Sequence, residues 1–303
     1  MLSICIPVFN FEVGSLVTDL LAQAKALHDD FEILLWEDGS TESYRQKNRY
    51  LKDLDSRIAY KELAENIGRS RIRNQLAAAA QYEHLLFLDC DAALVDATFL
   101  ANYQARFTNQ HHPYVICGGR VYPPQPADAN YQLHWKYGTQ KESQSATDRL
   151  RSPNASFMTN NFLVSKSIFE RIQFNEELRG YGHEDTLFGW DLKRHNIRID
   201  HIENPVCHIG LVSTEEFLTK TAEGVANLAK LYQLLGTEKP WYEDIKLLKM
   251  QLLLQEWQLS TLAYSLLKPG RHFIRRQLFA ADPSLRLFDF YKLYLLLAAI
   301  RKA

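Results

Sequence analysis

Cysteine is scarce in this sequence and never paired in the spacing that binds zinc. The four cysteines, Cys5, Cys90, Cys117 and Cys207, include no Cys-x-x-Cys, which argues against a disulfide-stapled secreted fold and a cysteine zinc site. Three of them sit in apolar, strand-like contexts, as reduced thiols of a cytosolic protein do. An excess of one charge is also missing: 35 Lys and Arg face 36 Asp and Glu, for a net charge of −1. No overall field therefore attracts nucleic acid, which is not an expected partner. No apolar run approaches the ~20 residues that cross a bilayer. The start, Met1-Leu2-Ser3-Ile4-Cys5-Ile6-Pro7, has no basic stretch ahead of its apolar residues, so no signal peptide and a cytoplasmic location are expected. No internal repeat or low-complexity tract is evident. The composition is that of a globular protein, 46% hydrophobic and 23% charged, long enough for one large domain or a domain with an extension.

The first ~120 residues alternate strand and helix patterns at βαβ spacing. Strands are predicted at 2–8, 31–36, 57–63, 84–88 and 114–117, with helices at 14–27, 42–54, 68–81 and 96–107. This is an α/β, Rossmann-like pattern: a mostly parallel, doubly wound sheet with ligands beyond the carboxyl ends of its strands. The clusters Phe9-Asn10, Glu37-Asp38 and Asp89-Cys90-Asp91 all fall at such ends. Residues 122–154 are rich in Pro, Gln and Tyr without periodicity, and read as a long functional loop or flap. A strand at 156–165, a short helix at 168–172, a helix after His183-Glu184-Asp185 through Arg194 and a strand-like stretch over 197–202 follow, and Pro205-Val206-Cys207-His208-Ile209-Gly210 closes the section. From Ser213 the chain reads as helix. Ser213-Thr214-Glu215-Glu216 has capping-box spacing and opens a helix to Leu235 with Gly236 as its stop. Further helices are expected at 240–267, ended by Pro269-Gly270, and at 271–281 and 284–303. The expected division is a domain over 1–212, with a nucleotide-binding half to about 120 and an acceptor-binding half from about 121, then a helical extension over 213–303.

The apolar run His84–Leu88 stops at Asp89-Cys90-Asp91. Alternate strand residues point the same way, so the two carboxylates are expected to project together and to repel unless a cation lies between them. Oxygen ligands suit Mg²⁺ or Mn²⁺. Other segments join this one in a definite order: Ile6-Pro7-Val8-Phe9-Asn10, Glu37-Asp38-Gly39-Ser40-Thr41, Asn66-Ile67-Gly68 through Arg73-Asn74, Leu88-Asp89-Cys90-Asp91, Gly182-His183-Glu184-Asp185 and Cys207-His208. With these the chain, from residue 2 to about 210, resembles the nucleotide-sugar-dependent glycosyltransferases of family 2, which have the GT-A fold. The residues after Ser213 lie outside the resemblance.

Position by position, the resemblance implies Pro7 and Phe9 against the nucleobase, Asp38 on uracil or ribose, Arg73 near base and diphosphate, and Asp89 near the ribose or metal. It implies Asp91 and His208 as ligands of a Mn²⁺ or Mg²⁺ that bridges the phosphates, and Asp185 as general base for the acceptor hydroxyl. Residues 182–192 look like the acceptor-side motif of galactosyl- and N-acetylgalactosaminyltransferases. The implied activity is inverting transfer of one hexose or N-acetylhexosamine from a UDP-sugar to a saccharide or lipid-linked saccharide, as in glycan, capsule or lipopolysaccharide-type biosynthesis. The Gln-x-x-Arg-Trp motif of the processive synthases is absent.

Each residue has a plainer reading beside this one. Asp38 could merely cap a helix starting near Thr41, but it also ends a buried strand, which favours the functional reading. Arg69, Arg71 and Arg73 fit a solvated helix face, the preferred reading for the first two. Glu184 and Asp185 suit an acidic helix start; Glu184 is the rival base or an acceptor ligand. His208 fits a packed histidine. Asn160 and Asn161 interrupt an apolar strand, where buried amides need partners, and are expected to border a sugar. Trp135, Tyr137, Tyr181 and Trp190 either stack on sugar faces or pack internally. In the tail, Arg271, Arg275, Arg276, Lys292, Arg301 and Lys302 accompany apolar stripes. Peripheral contact with the inner face of a membrane is one reading; a packed helical subdomain or homodimer contact is the other. The rival functions are a retaining glycosyltransferase, a sugar nucleotidyltransferase (whose Gly-rich basic loop Asn10-Phe11-Glu12-Val13 does not supply), and a catalytically silent glycan-binding or scaffold protein of the same fold.

Overall fold

A computed structural model describes residues 1–108, 113–178, 180–236 and 241–301. The expected helix start at Pro240 and the tail residue Lys302 lie outside these. The strands are β1 Leu2–Val8, β2 Phe31–Glu37, β3 Ile58–Glu62, β4 His84–Leu88, β5 Ala92–Leu94, β6 Val115–Cys117, β7 Arg120–Val121, β8 Asn161–Ser165, β9 Ile199–His201 and β10 Val206–His208. Seven of them form a sheet ordered β3-β2-β1-β4-β8-β6-β9, and β5-β10-β7 form a small second sheet. Pairing in the large sheet is parallel except at β8, which runs antiparallel between β4 and β6. The sheet is thus mostly parallel, as expected from sequence, and the single antiparallel strand β8 makes it mixed.

Alternation along the strands explains why both faces are covered. Leu2, Ile4, Ile6 and Val8 of β1 join Ile33, Leu35, Leu86 and Leu88 in one core with Leu16, Val17 and Leu20 of the helix Gly14–Ala26. Cys5, Leu34, Leu85 and Phe87 face the other way, onto Ile72 and Leu76 of the helix Arg69–Ala79 and onto Phe162, Phe169 and Phe188. Two buried faces account for the continuous apolar strands. The order of connection reverses between β1 and β4, neighbours in register from Leu2 opposite His84 to Cys5 opposite Phe87. Their carboxyl ends flank the crevice where sheets of this kind bind ligands.

Several sequence expectations change. The loop expected over 122–154 contains the helices Gln132–Tyr137 and Ala146–Arg149, the second capped by Ser145 Oγ, which accepts from the Asp148 amide at 3.1 Å. The strand expected over 156–165 starts only at Asn161, because turns occupy the preceding residues: Ser156 N–H donates to Ser152 O and Phe157 N–H to Asn154 O. The helix expected to end at Pro269-Gly270 instead breaks at Trp257–Leu259, between the helices Lys246–Glu256 and Ser260–Leu278. Gln258 there takes a left-handed φ of 57°, and Leu259 N–H reaches back to Leu254 O at 2.7 Å, a Schellman-type closure made without glycine. Pro269 lies inside the second of these helices. Burial of Ile274 and Leu278 with Phe217 and Phe288 offsets the roughly 3 kcal/mol that an internal proline costs.

The chain divides into two compact units. The first comprises Met1–Pro123, Ser143–Arg179 and Glu184–Gly210; the second comprises Pro124–Glu142, Gly180–His183 and Leu211–Ala303. The boundary expected at residue 212 falls beside Leu211, where the last segment of the second unit begins. In the second unit the helix Thr214–Leu235 begins at Ser213, whose Oγ accepts from the Glu216 amide at 3.3 Å, and stops at Gly236 with φ 64°. The last helix, Leu285–Ile300, is capped by Ser284. No described helix is long and apolar enough to cross a membrane.

Candidate active site

The carboxyl ends of β1 and β2 are tied into one platform. Asn10 takes a left-handed φ of 48°. Its amide donates to Ser40 Oγ at 2.9 Å, and its Oδ1 accepts from the Thr41 amide at 2.8 Å. Glu37, fully buried, accepts from Ser40 Oγ, from Asn48 Nδ2 at 2.8 Å and from Tyr60 OH at 3.2 Å. On this platform Phe9 leaves 49% of its surface exposed, and Pro7 is half-buried. An exposed ring at a strand's carboxyl end is the flat face the resemblance assigned to a base.

Asp38 does not cap the helix beginning at Glu42, whose N-cap is Thr41. Its two oxygens accept instead from the amides of Ile67, at 2.7 Å, and Gly68, at 3.2 Å, just ahead of the helix Arg69–Ala79. Burial nevertheless holds Asp38 above the usual carboxylate range, against those two bonds and the Arg73 charge. Gly39, at φ 70°, has Asn66 N where a Cβ would come within 2.3 Å, so this turn admits only glycine.

The expectation that Asp89 and Asp91 project together is not met. β4 ends at Leu88, and a turn closes over residues 89–92 with Ala92 N–H donating to Asp89 O. Strand alternation no longer applies there, and the carboxylates take different partners. Asp89 accepts from Arg73 Nη2 at 2.6 Å, with Arg73 only 2% exposed. Asp91 faces His208, with Nδ1 3.4 Å from Oδ1. β10 makes that meeting possible: His208 pairs with Ala92, and Ile209 N–H donates to Asp91 O at 2.9 Å. Burial pushes the Asp91 carboxyl up, but His208, Arg69 and Arg120 outweigh it and hold it at about 2. Gly210 packs flat against this carboxylate, where a Cβ would lie 2.3 Å from Oδ2.

These two side chains fit a hard divalent cation as a partial ligand set. The buried Asp91 Oδ1 has no well-formed hydrogen bond, and an imidazole stands beside it. No group of three His, Cys, Asp or Glu side chains poised for a metal occurs among the described residues. Mg²⁺-type sites commonly take one or two protein ligands and complete their shell with water and substrate phosphates.

Asp185 sits in the first turn of the helix Glu184–Arg194, behind Gly180, Gly182 and His183, all at positive φ. Its Oδ1 accepts from the Thr186 amide at 2.7 Å and from Thr186 Oγ1 at 3.3 Å. Desolvation and the neighbouring Glu184 charge push it up to about 6, against Thr186 and Arg120. Glu184 is buried and stands 3.6 Å from Arg69 Nη1. Arg69 reaches Glu184 while staying exposed, as expected from its helix position, and Arg71 pairs at the surface with Glu176. Arg120, which no sequence pattern singled out, acts on both Asp91 and Asp185. Its position directly after Gly118-Gly119 at a strand end was the available signal.

The two asparagines differ. Asn161 is consumed by the fold: it accepts from Tyr103 OH at 2.7 Å and donates to Gly119 O at 3.0 Å and Asn204 O at 2.8 Å. Asn160, 4% exposed, has both amide atoms without a hydrogen bond, while its backbone O receives the Asp89 amide. Trp135 and Tyr181 belong to the second unit, where Tyr181 O accepts from Asn227 Nδ2 at 3.1 Å. The cysteines are free, and burial raises their thiols, Cys90 and Cys117 to about 12.

A mostly parallel sheet with its acidic and basic side chains gathered beyond the carboxyl ends, followed by C-terminal helices, defines an α/β GT-A-like protein. The comparisons then identify the family. A family model described as Glycosyl transferase family 2 matches residues 3–173, more than half of the chain, and the chain belongs to that family. It is a glycosyltransferase that uses a nucleotide-sugar. Among solved structures it is similar to the mannosyltransferase PcManGT from Pyrobaculum calidifontis in complex with GDP-Man and Mn²⁺, with TM-score 0.62 and 16% identity over 99% of this chain and 86% of that one. S. aureus TarS 1-349 gives 0.50 at 18% identity, over 99% and 89%. Glucosyl-3-phosphoglycerate synthase from Mycobacterium tuberculosis, with Mg²⁺ and UDP, gives 0.52 at 14% identity, over 76% and 78%. No curated protein matches the chain. The galactosyltransferase-like motif over 182–192 has no support among these findings.

Proposed function

We propose that the protein transfers a hexose or N-acetylhexosamine from a UDP-sugar to a saccharide acceptor with inversion at the anomeric carbon. The observation that carries the reading is the placement of two acids: Asp91 3.4 Å from His208 and held ionised there, and Asp185 in the first turn of its helix, where burial and Glu184 raise it toward the range of a base working near neutrality. Phe9 offers its exposed face to the uracil, with Pro7 behind it. The Asp89–Arg73 pair lies at the ribose and diphosphate. Asp91 and His208 would hold Mn²⁺ or Mg²⁺, which would stabilise the leaving diphosphate as a Lewis acid. Arg120, and Arg69 across from Glu184, add positive charge on the same side. Asp185 takes the proton of the acceptor hydroxyl as that oxygen attacks opposite the departing UDP. Asn160 donates its unpartnered amide to a sugar hydroxyl.

UDP comes forward from the synthase structure solved with it, and GDP from PcManGT with GDP-Man. A panel of UDP- and GDP-sugars with Mn²⁺, read by nucleotide release and by NMR of the product anomer, tests the proposal. UDP release with an inverted anomer is expected, lost in Asp91→Ala. Turnover of GDP-sugars alone, or retained configuration, refutes the corresponding part.

A further inference from the structure

Eight of the 16 large apolar residues exposed among the described residues fall within positions 250–279: Met250, Leu253, Trp257, Leu259, Leu262, Leu266, Phe273 and Phe279. They are ordered. Met250, Leu253 and Trp257 follow i, i+3, i+7 at the end of the helix Lys246–Glu256, and Trp257 is 63% exposed at the corner that follows. Leu262, Leu266 and Phe273, 54%, 69% and 62% exposed, follow i, i+4, i+11 along the helix Ser260–Leu278, with Pro269 in the same line. The opposite side of that helix already has its core, through Ile274 and Leu278 against Phe217 and Phe288. The exposed stripe is thus a second apolar face, beyond what folding of the unit uses.

Its charge identifies the partner. The helix Ser260–Leu278 carries Lys268, Arg271, Arg275 and Arg276, and no acid. Arg275 is matched by Glu215, and these two line an open groove of about 410 Å³ with His272, Arg276 and Phe279, beside the stripe. Two copies meeting through this face would set like charges together, whereas a lipid bilayer offers an apolar interior beneath anionic phosphates. We infer that this face docks on an anionic membrane surface, with Trp257, Leu262, Leu266 and Phe273 entering the interface and His272 and Arg276 meeting lipid phosphates. The inference is independent of the donor and mechanism proposed above.

The test uses the full-length chain and sedimentation with vesicles of phosphatidylcholine alone or with one quarter phosphatidylglycerol. Partition onto the anionic vesicles is expected to exceed that onto neutral ones at least tenfold and to fall with salt. Arg276→Ala should weaken it by about fivefold, the effect of one basic residue at such a surface. Leu266→Ser/Phe273→Ser should weaken it at least tenfold, with an unchanged thermal midpoint because both side chains are exposed. Trp257→Ser, on the other side of the corner, supplies a second variant with the same expected loss. Three results would overturn the inference: no sedimentation with anionic vesicles, equal binding by the serine variants, or a dimer in analytical ultracentrifugation that the serine variants convert to monomer.

Discussion

Asp185 gives the sharpest test of the proposed chemistry, because its environment fixes both a rate and a direction. A carboxyl at about 6 is about nine-tenths ionised at pH 7 and about one-tenth at pH 5. With Asp185 as base, kcat/KM should rise about tenfold from pH 5 to pH 7 and then level. Asp185→Asn removes the base altogether and should cost roughly 10²–10⁴-fold in kcat, with little change in donor KM. Two neighbours should move the profile in opposite directions. Glu184→Gln removes a charge that raises Asp185 and should shift the rise to lower pH; Arg120→Gln removes one that lowers it and should shift the rise upward. Stability gives a separate check with its own sign. The folded state keeps a proton on Asp185 between about 4 and 6 that the unfolded chain has released, so its contribution weakens as pH rises through about 6. Asp185→Asn should therefore be at least as stable as the parent at pH 7, and lost activity cannot be lost fold. The assay is a pH series of initial rates, checked by single-turnover measurements that isolate chemistry. A flat single-turnover profile from pH 5 to 8, or an Asp185→Asn enzyme within tenfold of the parent, refutes the reasoning.

Gly210→Ala would press a methyl against Asp91 Oδ2, and should weaken Mn²⁺ binding in the presence of UDP, measured by calorimetry, by about tenfold or more while leaving the thermal midpoint within a few degrees. Tyr103→Phe strips the hydroxyl that donates to buried Asn161 Oδ1 and should destabilise by about 1–3 kcal/mol in urea titration, without changing the pH profile of turnover.

The parts legible in sequence are those where local chemistry and fold agree. β1 and β4 match the predicted bounds because apolar runs buried on both faces end abruptly at polar residues. Ser213, Ser284 and Gly236 end helices as their side chains, or the lack of one, require. What sequence hid was settled by contacts distant along the chain. Asp89 and Asp91 share a tripeptide, yet Arg73 claims one and His208 the other, and only β10 pairing with β5 brings that histidine within reach. Asn161 read as a sugar ligand because a polar residue in an apolar strand looks functional; its three partners, Tyr103, Gly119 and Asn204, lie 58, 42 and 43 residues away. At Gln258 the left-handed turn falls on a residue type that does not announce it.

The charge inventory at the strand ends explains why one acid, and not two, suits a cation here. Asp89 is matched by a buried guanidinium at 2.6 Å, and Glu184 faces Arg69. An arriving divalent ion would have to break those pairs and leave an arginine unmatched, which is costly where Arg73 is only 2% exposed. Among the described residues Asp91 forms no close ion pair with an arginine, and its short contact is with His208. Beside it stands an imidazole, which ligates in its neutral form and so adds a donor without adding charge. Its other flank is Gly210, which leaves the carboxylate room. Arg120 and Arg69 keep Asp91 ionised and add to the positive field toward a diphosphate. The same Arg120 restrains the rise of Asp185. One guanidinium thus ties the two proposed roles together: its removal should both weaken the binding of a nucleoside diphosphate and move the pH at which the base acts, a paired change that a residue serving only the fold would not produce.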